Sequence, residues 1–257
     1  MQPVKTTARG PVTTVTLADV EGRNSLSSAL VEGLHEALAA ANADPRVRAV
    51  VITNEGNTFC AGANLKERPG STGGHSPRIG FDELLLAIQR SPTPVVARIA
   101  GHVVGGGNGL AAACDISIAA EDVRFGFTEV RLGVAPAIIS VVCLPKMRRG
   151  DALEAFLRGH RFPASRAAEL GLITRAVPAS QLDACVDAVV ADLQKAGPKA
   201  LAAAKGLVYE VPALAREDAF RWTRQLSAEL FRSDEAREGV AAFLGRRRPA
   251  WAADEGA

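Results

Sequence analysis

Residues 101–136 read GHVVGGGNGLAAACDISIAAEDVRFGFTEVRLGVAP, and the fold turns on how this stretch is arranged. An apolar run at 94–100 leads into Gly105, Gly106 and Gly107. A small-residue helix pattern follows at 110–113, then a short apolar run at 116–119 and a loop that carries Glu129. The pattern predicts strand, glycine turn, helix, strand, and one acid delivered by a loop. Glycines ahead of a helix let the backbone come close to a ligand, because no Cβ intervenes. The first N–H groups of a helix have no partner inside it, so they can donate outward to a phosphate or a developing oxyanion. A tight turn beside a packed helix would use the same glycines. Gly107, Gly109 and Ala112 also satisfy G-x-G-x-x-A, the pattern of a dinucleotide-binding turn, with Glu129 as its distal acid. Two features speak against that pattern. The helical stretch before Cys114 and Asp115 is very short for a crossover, and Glu129 sits well past Ala119 rather than at a strand end.

Working outward, residues 12–17 alternate Val, Thr and Leu as a half-buried strand does. Arg23, Asn24 and Ser25 make a polar turn. Ser27 or Ser28 caps a helix whose Leu30, Leu34 and Leu38 share one face, and Pro45 ends it. Residues 47–53 read as a buried strand. Residues 58–67 read TFCAGANLKE, where Ala61, Gly62 and Ala63 are small enough for a ligand to reach the main chain. A loop chosen for compactness would look the same. The stretch 68–80 is a loop lying between the two ligand-contacting candidates, either a lid or a surface loop. A helix at 81–89 turns Leu84, Leu85 and Ile88 inward. Beyond Pro136 the pattern stays helical, at 138–144, 152–157, 165–170 and 182–193, with a turn at 158–162 and a short strand at 172–177. Three helices follow between 198 and 244, broken near Pro212 and Ser233. Arg246, Arg247 and Arg248 form a basic tail, either solvated or in contact with an anionic group. Strand–helix alternation up to Ala120 implies an α/β core with parallel crossovers, residues 1–195, followed by a helical region, residues 196–257.

Composition narrows the classes. The 257 residues are 47% hydrophobic, enough for a sizeable core without cross-links. A net charge of +2 and 5% aromatic residues give neither the basic footprint nor the stacking platforms of a nucleic-acid binder. Cys60, Cys114, Cys143 and Cys185 are widely spaced, which predicts free, mostly buried thiols in a reducing compartment. The four histidines are scattered, so no metal site is expected. No basic-then-apolar leader and no run of about 18 apolar residues appear, so a cytoplasmic location without membrane contact is the expectation.

With both small-residue stretches in view, the chain resembles the enoyl-CoA hydratase/isomerase (crotonase) superfamily. FCAGANLKE at 59–67 and the long glycine stretch at 101–136 carry the resemblance, and their spacing fits. Asn24 before the first helix, RAAELGLITRAVP at 166–178 and SDEAREGVAAFLGRRRP at 233–249 extend it over nearly the whole chain. The resemblance implies an α/β fold of stacked ββα turns, a spiral, with a helical C-terminal trimerisation region and assembly as a homotrimer or homohexamer. It implies an acyl-CoA substrate, so that coenzyme A arrives as part of the substrate and no cofactor stays bound.

It also implies that two main-chain N–H groups, matching Ala63 and Gly106, form an oxyanion hole for the thioester oxygen. Hydratases of this family carry two glutamates. The second matches Glu129, whereas the first falls on Gly109, which has no carboxylate. The usual aspartate after the oxyanion-hole alanine is Asn64 here. Asn64, Leu65, Lys66 and Arg23 are the expected CoA contacts, with Arg246 and Arg247 as further phosphate contacts. One acid remains. Flanking Phe127, Val130 and Leu132 are expected to give Glu129 an apolar setting that raises its pKa toward working pH. GGGNGL with TEVRLGVAPAIIS resembles a subgroup assigned to branched or glutaconyl-type enoyl-CoA hydration, in which the first glutamate is commonly glycine. Hydration of a 2-enoyl-CoA is therefore the expected reaction. A Δ3,Δ2-enoyl-CoA isomerase and an acyl-CoA-binding protein with little turnover are the alternatives. A second acid is sought in Asp82, Glu83, water or the substrate's own carboxylate.

Overall fold

The computed structural model describes residues 2–67 and 78–252. Most of the expected loop at 68–80 therefore lies outside the described residues. The chain opens with a hairpin, β1 (Val4–Arg9) against β2 (Val12–Leu17), turned by Gly10 at φ 54°. After α1 (Ser28–Ala43) the pattern becomes repetitive. The first turn is β3 (Ala49–Asn54), β4 (Thr58–Cys60) and α2 (Phe81–Arg90). The second is β5 (Val95–Ile99), β6 (His102–Val104) and α3 (Gly106–Ala113). The third is β7 (Ile116–Ala120), β8 (Arg124–Gly126), a short 3-10 turn at Glu129–Leu132 and α4 (Ala137–Cys143). Then come α5 (Arg149–Arg158), β9 (Arg161–Pro163), α6 (Ala164–Glu169), β10 (Arg175–Val177) and α7 (Leu182–Lys195). Helices α8 (Pro198–Glu210), α9 (Arg216–Arg232) and α10 (Asp234–Leu244) complete the chain.

Each repeat gives one longer strand to a six-stranded sheet, ordered β1-β2-β3-β5-β7-β10, and one short strand to a four-stranded sheet, β4-β6-β8-β9. This is the ββα spiral, with the helical C-terminal region present as expected. Within the repeats the pairings are parallel, as crossover connections require. The sequence reasons are local. β3 reads AVVITN and is buried along nearly its whole length, as a central parallel strand should be, while β2 alternates half-buried and buried residues. Ser27 caps α1 by accepting the Leu30 N–H, and Leu30, Leu34 and Leu38 are buried.

Four expectations need correction. β1 was not foreseen, because its residues after Val4 are exposed and carry no alternating pattern. The three-residue strands β4, β6 and β8 are too short to give a periodic signal. The turn expected at 158–162 contains the start of β9, which pairs antiparallel with β8. Helix α3 begins at Gly106 rather than at Leu110, so its first residues are glycines.

The helical remainder is fastened to the spiral by buried charge. Lys205 of α8 places Nζ 2.8 Å from Asp115 Oδ2, in the turn between α3 and β7, and also donates to the Ile88 carbonyl at 2.8 Å. Asp115 accepts the Val95 N–H at 2.7 Å as well. Arg48, itself buried, donates to the carbonyls of Ala196 and Trp251 at 2.5 and 3.1 Å. Among the described residues, no helix is long and apolar enough to cross a membrane.

Candidate active site

Strands β4 and β6 are parallel neighbours, and each runs out into a glycine. Beyond β4 the chain reaches Gly62 at φ 85°. Beyond β6 it reaches Gly105 at φ 56°. The two stretches are packed face to face. A Cβ on Gly62 would lie 2.9 Å from the Val104 oxygen and 3.0 Å from the Gly106 nitrogen. A Cβ on Gly105 would lie 3.6 Å from the Gly62 Cα. A side chain on Gly62 would not fit, whereas at Gly105 there is room for a Cβ and it is the positive φ that calls for glycine. Leu26 and Phe81 lie over Gly106, where a Cβ would come 2.6 Å from Leu26 Cδ1 and 3.5 Å from Phe81 Cε1. The Gly106 amide, at the N-terminus of α3, thus lies against the turn that leads into Ala63, with Leu26 and Phe81 beside it. Among the described residues neither this amide nor that of Ala63 has an acceptor in the protein.

Glu129 reaches the same place from β8. The Gly105 N–H donates to the Gly126 carbonyl at 2.9 Å, which ties the glycine turn to the strand that leads to the acid. Glu129 Oε1 lies 3.5 Å from where a Gly105 Cβ would be, and Oε2 is buried with no hydrogen-bond partner. Burial pushes the carboxyl pKa above its ordinary value. The residue's own backbone N–H pulls it back, and no charged side chain contributes. The source of the burial differs from expectation. Phe127 is fully buried, its ring tilted against Phe156 at 4.6 Å between centroids, but Val130 and Leu132 are 36% and 61% exposed. Helix α4 lies near enough for Glu129 to act on one of its residues. Its Cys143 thiol is pushed up by burial first, pulled down by Lys146, and pushed up again by the charge of Glu129.

Gly109 is where a second acid was missing, and the structure fills the place. A Cβ on Gly109 would lie 2.3 Å from Ile139 Cγ2 and 2.8 Å from Ile139 Cβ, so α3 and α4 meet through a glycine. Asp82 and Glu83, named as stand-ins, are exposed at the start of α2, and Glu83 accepts the Gly80 N–H at 2.6 Å as a helix cap.

The residues expected to contact CoA fall in two places. Asn64 makes a turn, accepting the Lys66 N–H at 3.1 Å and donating to Glu67 at 2.8 Å. Glu67 accepts the Ser28 N–H at 2.8 Å, so the loop is pinned to the start of α1. Asn64 thus has a structural task that its sequence position did not reveal. Leu65 is 58% exposed and Lys66 is exposed beside it. Arg23 sits at φ 54°, and its carbonyl accepts the Ala61 N–H at 3.2 Å. Its side chain lines a polar cavity of about 400 Å3 with Asn57, His102 and Arg161, apart from Lys66 and its loop. Arg247 is engaged by Glu238 at 2.6 and 2.8 Å, so this member of the basic tail is held within the C-terminal region. Among the described residues no three potential metal ligands gather.

Two residues here escaped the sequence reading. Ile139 is one. Asn108 is the other: it is fully buried, and its Nδ2 donates to the carbonyls of Gly105 and Gly126 at 3.0 and 2.9 Å. An asparagine inside a glycine-rich helix start, where helix propensity is poor, was the only available signal.

Comparison with known proteins identifies the family. Residues 7–254 match the profile of the family described as enoyl-CoA hydratase/isomerase. A Thermus thermophilus protein named "Putative enoyl-CoA hydratase" is 34% identical over 246 residues, covering 94% of this chain and 97% of that one. Enoyl-CoA hydratase EchA19 of Mycobacterium tuberculosis is 30% identical over 250 residues, covering 94% and 93%. The crystal structure of a Mycobacterium smegmatis enoyl-CoA hydratase superposes with a TM-score of 0.90 at 32% identity, covering 98% and 99%. The chain belongs to the enoyl-CoA hydratase/isomerase family.

Proposed function

We propose that this protein hydrates a 2-enoyl-CoA, of branched or glutaconyl type, with Glu129 as its one acid–base group. The observation that carries the reading is the buried, unpartnered Glu129 oxygen beside the paired glycine turns. The thioester oxygen accepts the N–H groups of Ala63 and Gly106. Ionised Glu129 takes a proton from water as the water oxygen bonds to C3. The C2=C3 electron pair moves toward the thioester, whose oxygen gathers enolate charge. The two donors stabilise that charge more than the neutral ground state, and one such donor is worth about 3–4 kcal/mol. Protonated Glu129 then returns its proton to C2. Because one group serves both steps from one side, the addition is syn. Asn64, Leu65, Lys66 and Arg23 are assigned to the CoA portion, which enters and leaves with the substrate. No cofactor stays bound in this scheme.

The closest competing reaction is Δ3,Δ2-enoyl-CoA isomerisation, favoured by one observation: Ile139 occupies the space beside Gly109 where a second acid would stand. Product identity separates the two. Incubated with crotonyl-CoA, 3-methylglutaconyl-CoA and 3-hexenoyl-CoA, the protein should consume the conjugated thioesters. Conversion of the 3-enoyl substrate alone would reject hydration, and no conversion of any would favour an acyl-CoA binder. Self-association as a trimer or hexamer is part of the proposal. It is supported by Phe220, Phe231, Phe243 and Leu244 of α9 and α10, each at least 65% exposed.

The Ile139 contact makes a prediction about the missing acid. Gly109→Glu should not install a second base. It should cost stability, because overpacking a closed contact typically costs about 1–3 kcal/mol. In a double-mutant cycle, Gly109→Glu with Ile139→Ala should show a favourable coupling of about 1–3 kcal/mol in urea unfolding. Additive losses would mean that the two positions do not compete for one space.

A further inference from the structure

We propose that Asn108 is a positioning residue that sets the direction in which the Gly106 N–H is presented to the substrate oxygen. The inference rests on the oxyanion-hole reading above. In a trans peptide the carbonyl and the N–H of the same unit point to opposite sides. The Gly105 carbonyl is held from the α3 side by two donors, the Asn108 backbone N–H at 2.9 Å and the Asn108 Nδ2 at 3.0 Å. The N–H of that same peptide belongs to Gly106, so it must face the other way, out of the helix. Such an anchor is needed. Gly105, at φ 56° and ψ −125°, has no Cβ to restrict rotation of this peptide. The partner unit shows the same device without a side chain. There the Gly62 carbonyl accepts the Leu26 N–H at 2.8 Å, which turns the Ala63 N–H outward. One donor of the pair is therefore aimed by main chain alone, and the other by a main-chain N–H reinforced by a carboxamide. The same Nδ2 donates to Gly126 at 2.9 Å, so Asn108 also fixes the strand that delivers Glu129 to the glycine turn.

The variants are Asn108→Ala and Asn108→Leu, with Asn54→Ala as a control. Asn54 is a buried carboxamide that bonds to Gly56 and Ala100, away from the glycine turn. The readouts are kcat, the Kd of a carbonyl-13C-labelled crotonyl-CoA, the infrared carbonyl stretch of that thioester when bound, and Tm. The wild type should lower the stretch relative to free thioester. Both Asn108 variants should lose about a hundredfold in kcat with little change in Kd, and their carbonyl stretch should return most of the way to the free value. Asn54→Ala should lose comparable Tm and keep both. Asn108→Ser retains one donor and should give an intermediate shift, which serves if the apolar variants do not fold. An unchanged carbonyl shift in the Asn108 variants, or an equal kcat loss in Asn54→Ala, overturns the assignment of Asn108. Absence of any shift in the wild type overturns the oxyanion-hole reading itself, and the role of Asn108 with it.

Discussion

Glu129→Gln should lower kcat by about three orders of magnitude while acyl-CoA binding stays close to wild type. Both proton transfers pass through this carboxyl, and Ile139 fills the place at Gly109 where a second acid would stand. The amide keeps the size and polarity of the side chain, so the pocket that holds the thioester is unchanged. Isothermal titration with a non-reacting acyl-CoA, beside turnover of crotonyl-CoA, checks both halves. A variant that still turns over at more than a tenth of the wild-type rate would remove Glu129 from its role.

The raised pKa adds a pH signature. Hydration starts from the ionised carboxylate, so kcat/KM should rise with pH through a limb above the ordinary glutamate value of about 4.3. Stability follows the opposite sign. The folded carboxyl holds its proton to higher pH than the unfolded one, so wild type loses stability as pH climbs from the unfolded value through the folded one. Glu129→Gln has no such ionisation. It should match wild type in acid and be the more stable protein at pH 8.

Lys205→Met should cost about 3–5 kcal/mol, because it removes one partner of a buried pair and leaves the other charge uncompensated. The side chains of Lys205 and Asp115 are only 8% and 17% exposed. Burial pushes the Asp115 carboxyl up, while Lys205 and the Val95 N–H pull it back. Without the ammonium, that N–H and the weaker pull of the Lys146 charge are left to hold the carboxylate down. Thermal unfolding should start roughly 10 °C lower. The deficit should shrink in acid, where Asp115 takes up a proton in both folded and unfolded chains. Adding Asp115→Asn should recover part of the loss, since the double variant no longer buries a lone charge. A Lys205→Met protein as stable as wild type would mean that α8 is not fastened to the spiral at this point.

The readable parts of the sequence were those whose cause is local. The glycine run, the cap at Ser27, the buried AVVIT run and the helices around Pro212 and Ser233 each depend on residues a few positions apart. Strand β1 was hidden because an edge strand with one buried residue has no period to detect. The three-residue strands were hidden because pairing, not propensity, makes them. The site followed the same division. Ala63, Gly106 and Glu129 could be nominated from the resemblance, and the structure packs the turns at Gly62 and Gly105 together with Glu129 beside them. Ile139 over Gly109, the exposed Val130 and Leu132, and the grip of Asn108 on Gly126 are contacts between turns of the spiral. A linear reading gives no residue pair to test for them.

The order of strands in the larger sheet bears on how the molecule is made. After the opening hairpin, every neighbour in that sheet is joined side by side in the same direction, so no tight turn can seed the pairing. Each new strand must wait for a whole crossover to be synthesised and packed, which makes assembly slow. A nascent chain halted after β5 would carry an uncovered, apolar strand edge, the kind of surface to which chaperones and other unfinished chains adhere.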